Sequence, residues 1–133
     1  MTLTPDSRRH LGFSDRVISK IIDVQSLQAK VGRIPRPNTV VMCHGTFDLV
    51  HPGHLRHLAF AKSKGDVLVV SITADAYVTK SNMRPYVPED LRALNLAALE
   101  VVDFVVVDRD PEPLELIRQI QPDLFVKGFE YGE

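Results

Sequence analysis

At 133 residues and 14.9 kDa the chain has room for one domain, and its 44% apolar and 25% charged residues exclude disorder over most of its length. Lys and Arg number 16 against 17 Asp and Glu, a net charge of −1 without the basic excess of a phosphate-neutralising nucleic-acid binder.

The start, Met1 to Gly12, is polar and carries Arg8, Arg9 and His10, unlike the apolar core of a signal peptide. No apolar run approaches the roughly 20 residues that cross a bilayer. A cytoplasmic protein without a membrane partner is expected. Met1 to Arg16 lacks a clear period and reads as a flexible or loosely docked arm. Asp23 can cap a short helix that runs through Val31 and stops at Gly32. Arg33-Ile-Pro-Arg-Pro-Asn38 reads as a linker, because two prolines deny it both helix and ladder. Residues 1–36 are thus expected to form an N-terminal arm, and 37–133 the domain proper.

Four short segments rich in Val and Ile read as strands: Thr39 to Cys43, Asp66 to Ile72, Asp103 to Val107 and Asp123 to Lys127. Their apolar residues run consecutively, as in strands buried on both faces of a parallel sheet. Between them, His54 to Lys64 predicts a helix with Leu55, Leu58 and Ala59 inward and Gly65 as its stop. Pro88-Glu-Asp90 opens a second, with Leu91, Leu94 and Ala98 as its buried stripe. Pro111 to Gln121 is the third, with Leu114, Ile117 and Ile120 inward and Pro122 ending it. Alternating strands and helices imply βαβ crossovers and an α/β, doubly wound parallel sheet. The single cysteine, Cys43, forbids an internal disulfide, which fits a reducing compartment, and is expected as a packed, unreactive thiol.

Ligands of such sheets bind outside the carboxyl ends of the strands. Cys43-His-Gly-Thr-Phe-Asp-Leu-Val-His-Pro-Gly-His54 lies there, running from a strand end into a helix start. Gly45 allows a sharp turn, and Gly53 a close approach of ligand to main chain. Unpaired amides at a helix start attract phosphate, and His51 and His54 add two ring donors that can stabilise charge on a phosphoryl group. Competing readings are a solvated histidine pair or zinc ligation. Only Cys43 and His44 lie near enough to help, and nothing completes a zinc site. His57, one turn on, reads as a helix-surface residue.

The string Gly45-Thr-Phe-Asp48 followed by His51-Pro-Gly-His54 resembles the signature of the cytidylyltransferase-like nucleotidyltransferases. Lys62 to Val70, Arg84 to Arg92, Ala98 to Asp103 and Pro122 to Gly128 extend the resemblance. They are similar to glycerol-3-phosphate cytidylyltransferase and to the adenylyltransferase domain of the bifunctional heptose kinase/adenylyltransferase, and Lys20 to Asp23 matches the lead-in of the heptose type.

The resemblance implies a Rossmann-like nucleotidyltransferase fold and a reaction. A phosphate oxygen of a phosphorylated sugar or polyol attacks the α-phosphorus of CTP or ATP, and pyrophosphate leaves. It implies His51, His54, Lys80 and Arg92 as catalytic residues, with Gly45, Thr46, Phe47, Gly53, Lys127 and Gly128 around the nucleotide. Asp48 and Arg84 would face the acceptor. Asp48 reads equally well as a turn cap, Lys80 or Arg84 as a solvated cation, and Arg92 as the partner of Glu89 or another acid. Mg²⁺ would come with the triphosphate, and a homodimer is carried over from the family. The Gly45-Thr-Phe-Asp-Leu string leans towards CTP. Phe129 and Glu130 depart from the sugar type, which leaves base and acceptor open. Relatives continue into another strand and a Ser/Thr-rich helix start, so a domain truncated at its C-terminus is expected. A non-catalytic nucleotide-binding module is the alternative.

Overall fold

The computed structural model describes residues 12–78 and 85–127. Within them, β1 (Val40–Gly45), β2 (Val67–Thr73), β3 (Phe104–Asp108) and β4 (Leu124–Phe125) form one parallel sheet in the order β3-β2-β1-β4. The helices are α1 (Asp15–Ile18), α2 (Val24–Val31), α3 (Pro52–Lys62), α4 (Glu89–Ala97) and α5 (Leu114–Ile120), with a 3-10 turn at Asp75–Tyr77. The strand order reverses between β1 and β4, so the crevice for a ligand opens at the carboxyl end of β1. This is the doubly wound α/β sheet that the strand pattern predicts.

Helices cover both faces. Ile18 of α1, Leu58 and Ala61 of α3, and Ala93, Leu94, Leu96 and Ala97 of α4 pack with Val41, Cys43, Leu68, Val70 and Val105. Leu27 of α2 and Leu116 and Ile120 of α5 pack with Val40, Met42, Val69 and Val106 on the other face. Alternate residues of β1, β2 and β3 therefore enter separate cores, which explains their apolar runs, whereas the fourth run is not buried on both faces: β4 is only Leu124–Phe125, both exposed, on the edge of the sheet.

Several inward faces differ from the sequence reading. Leu55 and Ala59 of α3 are exposed, while His57 is buried beside Leu58 and Ala61, so it is not a surface residue. Leu91 and Ala98 are exposed too; Arg92, Ala93, Leu96 and Ala97 take the inward positions around Leu94. Leu114 is exposed and Leu116 replaces it inward. A helix over a sheet buries a narrow stripe, and a charged residue inside that stripe masks the period.

The N-terminal segment is part of the same body from α1 onward. Ile18 and Ile21 are buried, Ile21 bridges Val105 in parallel, and Lys20 Nζ donates to the Leu99 carbonyl at 3.1 Å. Asp23 caps α2 by accepting the Ser26 amide, and Gly32 at φ 78° ends it, as predicted. In the segment read as a linker, Arg36 donates to the carbonyls of Gly32, Ile120 and Gln121, tying together the ends of α2 and α5. A guanidinium there suits the negative ends of both helices.

Three aspartates fasten the amino end of the sheet, each one residue ahead of a strand. Asp66 accepts the Thr39 amide at 2.8 Å, Asp103 the Leu68 amide at 2.7 Å, and Asp123 the Val40 amide at 2.7 Å. Lys62 lies 2.7 Å from Asp103 and Arg36 3.2 Å from Asp123. The Val40 amide, helped by Arg36, holds the Asp123 carboxyl below its ordinary range. Gly65 is required by proximity: a Cβ there would stand 2.6 Å from Val41 Cγ2 and 2.9 Å from the Thr39 carbonyl.

Candidate active site

At the other end of the sheet, β1 runs out at Gly45 into a loop that turns back into α3. Gly45 is glycine because the Phe47 ring folds over it, and a Cβ would lie 2.9 Å from Phe47 Cε2. Phe47 is buried and sits at φ 51°, a left-handed conformation uncommon for a bulky residue. Such strain persists only where surrounding structure holds it. Here the holding contacts are the ring's packing on Gly45 and on His54, whose ring centroid is 5.4 Å away.

His51 and His54 cap α3 reciprocally. His51 Nδ1 accepts the Gly53 amide at 3.0 Å, and His54 Nδ1 accepts the His51 amide at 3.1 Å. The His54 amide is directed at the His51 carbonyl at 2.9 Å. The helix-start amides expected to meet phosphate are thus engaged within the turn, and the rings become its chemical face. An Nδ1 that accepts an N–H leaves the neutral imidazole's proton on Nε2. Both rings are therefore set in one tautomer, as Nε2–H donors, with centroids 4.0 Å apart. Burial, and the proximity of His51 and His57, lower the pKa of His54, which keeps it neutral at pH 7.

Beneath this face lies Arg92, wholly buried. Its Nε donates to the Val87 carbonyl at 2.9 Å, Nη1 to the Thr46 carbonyl at 2.8 Å, and Nη2 to Asp75 Oδ1 at 2.7 Å. One guanidinium thus joins the loop after β1, the turn after β2 and the entry to α4. Asp48, also buried, accepts the Tyr86 and Val87 amides, each at 2.9 Å. Asp75 and Glu89 cap each other's amides, and Arg109 pairs with Glu89. Arg92 and Asp48 therefore set the shape of the loop from within. Asp75, which sequence reasoning missed, completes that scaffold; its place just past a strand end was the available signal.

The structure thus brings together Gly45, Thr46, Phe47, Asp48, His51, Gly53, His54 and Arg92. Lys127 is exposed and lies two residues past β4, which pairs with β1 through Val41 and Met42. Lys80, Arg84 and Gly128 lie outside the described residues. Among the described residues no group of three or more His, Cys, Asp or Glu is arranged to hold a metal ion. Both oxygens of Asp48 already accept amides.

His44, at the end of β1, also went unassigned. Its Nδ1 lies 2.6 Å from Ser71 Oγ and its Nε2 3.3 Å from Thr73 Oγ1. Burial pushes its pKa from 6.5 down to about 4, and the neighbouring Cys43 thiol up to about 12, so that thiol stays protonated and unreactive. The unfolded chain binds His44's proton near pH 6.5 while the folded chain refuses it until about pH 4. Stability therefore falls as pH falls through that window, by on the order of 2 kcal/mol after allowance for partial exposure. Urea unfolding of His44→Asn beside the parent at pH 7, 5.5 and 4 checks this. The variant's stability should decline less steeply, and parallel curves would show that His44 is not the source.

A family model described as cytidylyltransferase-like matches residues 42–132. The bifunctional protein HldE of Wolinella succinogenes is 42% identical over 124 residues, covering 92% of this chain and 26% of that protein. HldE of Sulfurimonas denitrificans is 50% identical over 94 residues, covering 69% of this chain and 20% of that protein. The chain thus spans about a quarter of the length of these relatives. A crystal structure of the lipopolysaccharide core biosynthesis protein from Thermoplasma volcanium superposes with a TM-score of 0.62 at 28% identity, covering 67% of this chain and 73% of that one. No helix among the described residues is long and apolar enough to cross a membrane.

Proposed function

Because the chain belongs to the cytidylyltransferase-like family, we propose that its loop and α3 start carry out nucleotidyl transfer from ATP to a phosphorylated sugar of the heptose class. A phosphate oxygen of the sugar attacks the α-phosphorus, the bond to the β-phosphate oxygen breaks, and pyrophosphate leaves. The observation that carries this reading is the reciprocally capped His51–His54 pair. Two rings, each with Nδ1 turned to a backbone amide and Nε2 left to donate, are set in place before any phosphate arrives. Such donors need no reorganisation as charge builds on the phosphoryl oxygens. Lys127 is the proposed contact to the base, and Lys80 and Arg84 are the proposed cations for the phosphates.

Mg²⁺ bound across the triphosphate would neutralise oxygen charge. The donors of this loop are nitrogens suited to phosphate, and the buried carboxylate Asp48 is committed to amides, so the ion would be held chiefly by the nucleotide itself.

ATP is preferred to CTP, a revision of the lean drawn from Gly45-Thr-Phe-Asp-Leu. The relatives in sequence bear the HldE name, and the resemblance along the chain includes the adenylyltransferase domain of a bifunctional heptose kinase/adenylyltransferase. A cytoplasmic homodimer is part of the same proposal. Pyrophosphate release measured with ATP and with CTP, each with heptose 1-phosphate or glycerol 3-phosphate, tests it. ATP with the heptose phosphate should be fastest, by at least about tenfold over CTP. Faster release with CTP would restore the cytidylyl reading. Nucleotide binding without release from any pair would leave a non-catalytic module.

A further inference from the structure

A cavity of about 290 Å³ lies beside the sheet edge at the carboxyl end of β3, between the start of α2 and the flank of α5. The His51–His54 loop contributes nothing to its lining. Along β3, Phe104 and Val106 face the α2 and α5 core, so alternation turns Asp108 to the same side. Asp108 is only 3% exposed. Its Oδ1 accepts the Asp110 amide at 3.0 Å, but Oδ2 is buried and has no hydrogen-bond partner among the described residues. A buried carboxylate oxygen left unmatched is costly, and native structures rarely keep one without a use.

The surroundings indicate what would match it. Ile22, Val24, Val106 and Leu116 give the cavity an apolar wall, and Asp23 and Asp110 add carboxylates; a third, Glu115, is already matched by Arg118 and Gln119. Arg109 is the cation among the lining residues, and its guanidinium is paired with Glu89. The N-terminal amides of α2 border the same cavity, and the Asp23 carboxylate accepts that of Ser26. An acidic rim over an apolar wall suits a group that is positively charged at one end and aliphatic behind it. A neutral hydroxyl could satisfy Oδ2 but would draw nothing from the other carboxylates.

We propose that this cavity binds a small organic cation, a guanidinium or ammonium on a short aliphatic stem, whose charged nitrogen donates to Asp108 Oδ2. The stem would lie against Val24, Val106 and Leu116. Burial holds the Asp108 carboxyl above its ordinary range, and an arriving cation would draw it back down. Because the cavity shares no lining residue with the His51–His54 loop, this site stands or falls apart from the nucleotidyl-transfer reading.

The test is titration of the folded chain with n-butylguanidinium, read from the methyl NMR signals of Ile21, Ile22 and Leu116. The uncharged isostere n-butylurea serves as the comparison. Saturable shifts at these methyls are expected with the cation, with at least about tenfold weaker binding of the urea. Asp108→Asn should weaken cation binding by at least about tenfold. Equal affinity for cation and urea overturns the proposal, and that comparison needs no variant. So does an absence of shifts at these methyls, or unchanged cation affinity in a folded Asp108→Asn protein.

Discussion

Replacing His54 with alanine lowers kcat by at least about a hundredfold, the usual consequence of removing one preorganised donor from a developing charge. The same ring caps α3 by accepting the His51 amide, so the alanine variant also loses about 1 kcal/mol of stability. His54→Asn separates the two effects. Asparagine can accept that amide, which should recover most of the lost stability, yet it cannot place a ring N–H where Nε2 stands. Single-turnover pyrophosphate release beside urea unfolding of both variants provides the measurement. A His54→Asn protein with near-parental turnover would remove this ring from the chemistry and leave it as a cap.

The second large effect belongs to Arg92. Truncation to alanine empties a fully buried volume and strands the Thr46 and Val87 carbonyls, at a cost of about 3 kcal/mol. Asp75 is partly exposed and can turn to water, so little of the loss comes from that pair. Arg92→Lys should recover less than half, because a single ammonium cannot serve three acceptors in three directions. Turnover should fall in both variants although the guanidinium lies beneath the loop and not on it. Its carbonyl contact at Thr46 fixes the strained turn at Phe47. Chemical denaturation is the direct check: an alanine variant as stable as its parent would mean that this cross-link contributes nothing.

The sheet and the chemical loop were legible for different reasons. Strands buried on both faces leave unbroken Val and Ile runs, and Asp23 with Gly32 marks both ends of α2 in plain capping chemistry. The order from β1 to α3 is written in consecutive residues. What sequence hid is long-range. Ile18 and Ile21 enter the core from a helix too short to show a period, and one bridge to Val105 commits that segment to the sheet. Arg92 was legible as a catalytic candidate or the partner of an acid, but not as a buried cross-link, because its three acceptors lie far from one another along the chain. The tautomers of His51 and His54 required the geometry of the turn, since spacing gives neighbours but not which nitrogen faces which amide.

The three aspartates ahead of β2, β3 and β4 have a consequence for motion. Each anchors an amide at the same end of the sheet, where a slip of one residue would invert every side chain of a strand. At the opposite end the carboxylates of Asp48, Asp75 and Glu89 hold loop amides rather than the starts of strands, around the turn at Phe47 and the capped pair of rings. Opening fluctuations should therefore be uneven. Amide exchange at Thr39, Val40 and Leu68 should require near-global unfolding, while exchange in the loop beyond Gly45 proceeds through smaller openings. The loop beyond Gly45 can then move without loosening the alignment of the strands, since the two draw on separate reserves of stability.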